Sequence, residues 1–179
     1  MIKKILGIII IVIILFLGIG YCTGRKSLKS SEINISLDYI NSELVKIDNE
    51  LINMGNNIIT IWQNTIDKKS MTKSDMAIIS NIKYDTFLEN TKEYSKKVYS
   101  DGLEAAKVVV AYYNNSGILP NIREKLLAIK NQLDSMNVKN EVEYNSTVIK
   151  YKNIKELQEL ISNPKGDFNT YKNTLYSVE

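Results

Sequence analysis

The most regular hydrophobic pattern in the chain lies between Ser31 and Ile66. Ile33, Leu37, Ile40, Leu44, Ile47, Leu51, Met54, Ile58 and Ile61 follow one another in steps of four and three, the spacing of a helix that buries one narrow seam along its length. Asn, Ser, Glu, Lys and Asp between them make the solvated face. A helix of this span is roughly 50 Å long at about 1.5 Å per residue, so its seam requires partner helices of comparable length. Ser30 or Ser31 is placed to cap it, with Glu32 in its first turn, where a carboxylate suits the helix dipole. Gly55 in mid-helix marks a bend or a close helix crossing, and Trp62 beside the seam reads as packing.

A turn follows at Asp67–Ser70 and a new cap at Thr72–Asp75. The spacing then predicts a second helix over about 75–113, on the stripe Ile79, Ile82, Phe87, Tyr94, Val98, Ala105, Val108 and Tyr112, with Tyr84 and Thr91 as weaker members. Ser100-Asp101-Gly102 interrupts it, with Asp101 capping the second half. Asn114-Asn115-Ser116-Gly117 is the plainest turn in the chain. Pro120 opens a third helix, where its missing N–H does no harm. That stripe runs Ile122, Leu126, Ile129, Leu133, Met136, Tyr144, Val148, Tyr151, Ile154, Leu157 and Ile161, with Asn140 on the seam. Asn163–Gly166 ends it, and Asp167 caps a short last helix carrying Phe168, Tyr171 and Leu175. The expected fold is all-α: an N-terminal transmembrane helix, then a long antiparallel, four-helix-bundle-like domain of three long helices and a short fourth, coiled-coil-like in its seams.

The N-terminus changes this picture. Ile5–Tyr21 is an almost unbroken apolar run behind Lys3 and Lys4, and with Met1 and Ile2 it reaches the length a bilayer core requires. The favoured reading is an uncleaved single-pass anchor over residues 1–23, a membrane-proximal linker over 24–30 and the helical bundle domain over 31–179. A lipoprotein signal competes, because Cys22 stands where an acylated cysteine would, although Tyr21 is bulky for a small-residue cleavage site. An ordinary cleaved signal peptide is the third reading. Arg25, Lys26 and Lys29 nearly balance Lys3, Lys4 and the amino terminus, so basic residues do not orient the anchor. The three read as a solvated linker, with lipid headgroup contact as the alternative.

Composition narrows the function. The chain of 179 residues is 44% hydrophobic and 24% charged, with only 8 Gly and 2 Pro to interrupt helices. Without Lys3 and Lys4, 21 basic side chains face 20 acidic ones, which argues against nucleic acid as a partner. There is no His and one Cys. That removes the commonest general base, the commonest zinc ligand and any internal disulfide.

Several segments, in order, resemble the LemA family of small membrane-anchored bacterial helical proteins. After the apolar anchor come Ile33-Asn34, Leu37, Ile40 and Glu50-Leu51-Ile52-Asn53. Val108-Val109-Val110 then leads to Pro120-Asn121-Ile122, Leu126-Leu127-Ala128-Ile129 and Gln132-Leu133. Last comes Tyr144-Asn145-Ser146-Thr147-Val148-Ile149-Lys150-Tyr151, similar to the family's Tyr-Asn-x-x-Val-x-x-Tyr-Asn segment. The chain departs from the pattern at Leu37 in the family's Trp position, at Lys46 and Leu51-Ile52-Asn53 without Pro, at Tyr151-Lys152, and in a shorter spacing from Pro120 to Tyr144. The resemblance implies a divergent single-pass protein with an antiparallel four-helix domain on the cytoplasmic side and no enzyme activity.

Catalytic chemistry is sparse. Glu43, Glu50, Glu89, Glu93, Glu141, Glu143, Glu156 and Glu159 fall off the seams and read as solvated. No phosphate loop, dinucleotide fingerprint or hydrolytic triad is present, so no catalytic, cofactor-binding or metal-ligating residue is assigned and no cofactor is expected. The 11 tyrosines are the one enrichment. Tyr94, Tyr112, Tyr144 and Tyr151 lie at or near seams, as core-edge residues or as the lining of a small-molecule groove. The sequence thus predicts a non-enzymatic, membrane-anchored bundle whose partners are the lipid bilayer and other membrane or envelope proteins, with homo-oligomerisation left open. The alternatives are an outward-facing sensor-type four-helix ligand-binding domain, or a lipoprotein.

Overall fold

A computed structural model describes residues 26–68, 70–136 and 142–178, with side chains over 36–68, 70–136 and 142–177. The chain divides into two units, 1–35 and 36–179. Of the first, the description covers the helical backbone from Lys26. The apolar run, Cys22, Arg25 and Asn140 lie outside the described residues. Among the described residues no helix is long and apolar enough to cross a membrane.

The protein is mostly helical. In order, the described elements are α1 (Lys26–Lys68), β1 (Met71–Thr72), α2 (Lys73–Ile79), α3 (Tyr84–Glu89), β2 (Val98–Tyr99), α4 (Gly102–Asn115), α5 (Ile118–Ser135), α6 (Val142–Ser162) and α7 (Phe168–Val178). The seam of α1 is buried at every described position, from Leu37 through Ile40, Leu44, Ile47, Leu51, Met54 and Ile58 to Ile61. Ser30 and Ser31 lie inside α1 rather than capping it, because the helix already runs at Lys26.

The expected second long helix is not there. Two short helices, a ribbon and α4 replace it, and three local causes are visible. Thr72 and Asp75 form a reciprocal capping box, with Asp75 N donating to Thr72 Oγ1 (3.2 Å) and Thr72 N to Asp75 Oδ2 (2.9 Å), which starts α2. Asn81 then takes a left-handed conformation (φ 54°). Its N–H reaches Ile78 O and that of Ile82 reaches Ala77 O, the paired bonds that close a helix with Asn or Gly just past its end. Finally, Met71 pairs with Tyr99 and Thr72 with Val98 in an antiparallel ribbon, which buries Met71 and Tyr99. Asp101 Oδ1 accepts from Glu104 N at 2.8 Å and begins α4 as the sequence predicts.

The expected third helix is also two. Backbone at Met136 turns extended (φ −74°, ψ 131°) and ends α5. Tyr144 at the start of α6 donates its hydroxyl to Leu133 O (3.2 Å), a carbonyl in the last turn of α5 that also accepts from Met136 N (3.2 Å). Arg123 near the start of α5 donates to Ser162 Oγ near the end of α6 (3.1 Å). These two bonds set α5 and α6 antiparallel. Gly117, left-handed at φ 84°, makes the α4–α5 turn, and Asp167 caps α7 through Thr170 N (3.0 Å).

α7 runs back along α1. Phe168 and Tyr171 stand against Trp62, with ring centroids at 6.0 and 5.6 Å. About one turn beyond Tyr171, Leu175 fills the space beside Gly55, its methyl carbons 2.7–2.8 Å from where a Cβ would sit. Gly55 is therefore a close crossing point. Asn41 Nδ2 donates to Thr147 Oγ1 (3.0 Å), fastening α1 to α6, and Asn57 Nδ2 donates to the Tyr113 hydroxyl (3.1 Å), fastening α1 to α4.

Candidate functional site

The carboxylates first considered for chemistry do not converge. Glu50, Glu89, Glu93, Glu143, Glu156 and Glu159 are exposed and Glu43 is half-buried; Glu141 lies outside the described residues. Among the described residues no group of three or more potential ligands is placed to hold a metal ion. Lys26 and Lys29 belong to the first turns of α1.

The four tyrosines separate. Tyr112 stacks on Phe87 (5.4 Å, 20° between planes), joining α4 to α3. Tyr94 is half-buried, and burial beside Glu93 and Glu104 raises its pKa. Tyr144 holds the end of α5. Tyr151 lines a groove of about 270 Å³ between α5 and α6.

That groove gathers chemistry. α5 contributes Arg123, Leu126, Leu127 and Lys130, and α6 contributes Tyr151, Lys155 and Gln158. Their spacing explains why they meet. Arg123 and Lys130 are two helical turns apart on one side of the α5 seam, and Tyr151, Lys155 and Gln158 follow one another by four and three on α6, so each set shares a face. Leu126 and Tyr151 are buried, whereas Leu127 remains 58% exposed. Three cations line the groove and no carboxylate does.

Arg123 is held by neutral partners. Its Nη2 donates to Asn114 Oδ1 and to Ser162 Oγ, both at 3.1 Å. Ser162 in turn accepts from Gln158 Nε2 (2.6 Å) and donates to Gln158 O (2.7 Å). Both Nη2 hydrogens are thereby used, and the guanidinium is anchored without its charge being neutralised. Lys130 pairs with Asp134 and Lys155 with Glu159, each one turn along its own helix. The Asp134 carboxylate raises the Lys130 pKa. Such exposed pairs are screened by solvent, contribute little and exchange readily.

Sequence reasoning reached Tyr151 but missed the cations around it. The signal was present in the seven-residue spacing of Arg123 and Lys130 beside the seam. Only the antiparallel pairing of α5 with α6 turns that spacing into a groove.

A second cluster lies in the core. Tyr113 and Tyr171 are buried, and desolvation drives both phenol pKa values up, partly offset at Tyr113 by the hydrogen bond with Asn57. The Tyr171 hydroxyl has no hydrogen-bond partner among the described residues. No family model matches this chain, and no curated protein and no solved structure matches it either.

Proposed function

We propose that this chain is a LemA-like, membrane-anchored, non-enzymatic helical bundle that docks other proteins at a bacterial membrane. The observation that carries the reading is the order of its parts: an apolar run of membrane-spanning length at Ile5–Tyr21, then a helical unit from Ser36 onward whose long seam is buried by its own chain. A unit that closes its own core needs no second copy to fold, which leaves its surface available to partners. That surface carries large apolar side chains, among them Val142 at 86% and Ile78 at 73% exposure. In this reading the domain is an up–down–up–down bundle of α1, α4 with α5, α6 and α7, and the short elements between α1 and α4 are an elaboration at one end. The segments similar to the LemA family fall in α1, α4, α5 and α6, and the bundle is assigned to the cytoplasmic side, where that resemblance puts it.

The test is a fractionation and labelling experiment on the full chain. A Cys22→Ser background carrying Asn115→Cys, exposed at the α4–α5 junction, is expressed in bacteria. The protein should sediment with membranes after alkaline carbonate. Its turn should be protected from a membrane-impermeant maleimide in intact cells and labelled after lysis, and cross-linking should recover protein partners. Complete recovery in a detergent-free supernatant would remove the anchor. Labelling in intact cells would put the bundle outside and favour the sensor-type alternative. The absence of any cross-linked partner would remove the docking role.

A further inference from the structure

We infer that the groove between α5 and α6 is a binding site for a small organic anion, with an apolar body about one ring in size and a single carboxylate. The inference stands apart from the membrane reading and needs only the folded unit. Three features carry it. Every charged side chain that lines the groove is a cation, Arg123, Lys130 and Lys155, in a chain whose basic and acidic residues otherwise nearly balance. The charge is therefore local, and it complements an anion.

The arginine is also built into place before any ligand arrives. Asn114 and Ser162 fix its Nη2, and Gln158, 7% exposed, fixes Ser162. The Nη1 and Nε donors are not used within the described residues. A cation held by neutral groups needs no reorganisation and no broken ion pair to receive a carboxylate. Lys155 exchanges Glu159, a contact of 3.4 Å, for the same ligand at small cost.

The size of the groove selects among anions. Its volume of about 270 Å³ falls just under the range of about 300–1,000 Å³ typical of small-molecule sites, so the body it takes is small. Leu126, Leu127 and Tyr151 provide an apolar wall for it. An acidic helix of a partner protein fits less well. Arg123 and Lys130 are two turns apart, about 10 Å, and a helix with its side chains is itself about 10–12 Å across.

The full chain, held in solution with a mild non-ionic detergent whether or not it carries an anchor, is titrated with 4-fluorophenylacetate and followed by fluorine NMR of the probe, with detergent alone as the blank. Saturable line broadening is expected. The uncharged 2-(4-fluorophenyl)ethanol should bind more weakly by at least about tenfold. Arg123→Gln with Lys155→Gln should weaken the anion by about tenfold or more while leaving the neutral alcohol unchanged. Both changes are at exposed positions, and an unaltered circular dichroism spectrum shows that the variant is folded. Leu127→Gln keeps every charge and should weaken both probes. Equal binding of anion and alcohol, an unaffected double variant, or no saturable binding of the anion at millimolar concentration overturns the inference. Binding of an acidic helical peptide but not of the small anion would also overturn it and make the groove a protein-docking surface.

Discussion

Gly102 and the indole of Trp62 adjoin so closely that a Cβ on residue 102 would enter the space of the ring. Gly102 is the first residue of α4 and Trp62 stands near the end of α1, so one missing side chain sets the approach of the two helices. Gly102→Ala brings two effects of opposite sign. Helix propensity favours Ala by at most about 1 kcal/mol, while forcing a methyl against a buried ring costs about 1–3 kcal/mol. The clash should win, and urea unfolding should show a lower midpoint. Combining it with Trp62→Phe should recover part of the loss, with a coupling of about 0.5 kcal/mol or more. An alanine variant as stable as the parent would contradict the close approach.

Two buried tyrosines on neighbouring helices should respond differently to loss of a hydroxyl. The Tyr113 hydroxyl accepts from Asn57, so Tyr113→Phe should cost about 0.5–1.5 kcal/mol. The Tyr171 hydroxyl is buried without a partner among the described residues, so Tyr171→Phe should be neutral or stabilising. Burial raises the Tyr171 pKa above its ordinary value. A group whose folded pKa is raised contributes stability that is fully present below its unfolded pKa, about 10 for Tyr, and that is lost as pH rises through the folded value. Alkaline titration of stability should therefore fall beyond about pH 10, and less steeply in Tyr171→Phe. A large loss of stability in Tyr171→Phe at neutral pH would mean that its hydroxyl has a partner.

The seam of α1 gives a contrast along a single helix. Leu51 is fully buried, and Val45, six residues earlier, is 44% exposed. Leu51→Ala should cost about 2–5 kcal/mol. Val45→Ala should stay within about 0.5 kcal/mol, as surface changes do. Denaturant midpoints of the two variants check this, and similar losses would mean that the face of Val45 is covered.

The same helix shows what a sequence reveals. Every step from Leu37 to Ile61 is three or four residues, and every one of those side chains is buried. Counted with its weaker members Tyr84 and Thr91, the stripe proposed for the second helix steps by three, two, three, four, three, four and seven from Ile79 to Ala105, and its off-period step from Ile82 to Tyr84 falls at the break between α2 and α3. The end of α2 depends on Asn81 accepting a left-handed backbone, and the ribbon on Met71 meeting Tyr99 across 28 residues; hydrophobic period records neither. Local signals fared better. Thr72–Asp75, Asp101, Gly117 and Asp167 all mark element boundaries where the sequence puts them, because a cap or turn needs only its neighbours. The groove was the least legible part. Tyr151 was in view, but Arg123 and Lys155 meet only once α5 and α6 are paired.

The cap of α7 should make the C-terminal helix acid-sensitive. Asp167 accepts from the backbone N–H and the hydroxyl of Thr170, at 3.0 and 2.6 Å, and those bonds hold its pKa below the ordinary carboxylate value. A depressed folded pKa means that the cap stabilises above the unfolded value, about 3.9 for Asp, and that this contribution is lost as pH falls through the folded one. Acidification from about pH 5 towards pH 2 should therefore loosen the start of α7 before it unfolds the rest. Trp62 reports this directly, since it is the one tryptophan in the chain and Phe168 and Tyr171 of α7 stand against it. Its emission should shift to the red over that range while far-ultraviolet dichroism changes little. Asp167→Asn keeps a capping acceptor and should abolish the acid-dependent shift. Asp167→Ala should show the shifted emission already at neutral pH. If Asp167→Asn titrates like the parent, the acid response belongs to another carboxylate, with Asp75 in its capping box, whose pKa is held down by Thr72, the next to test.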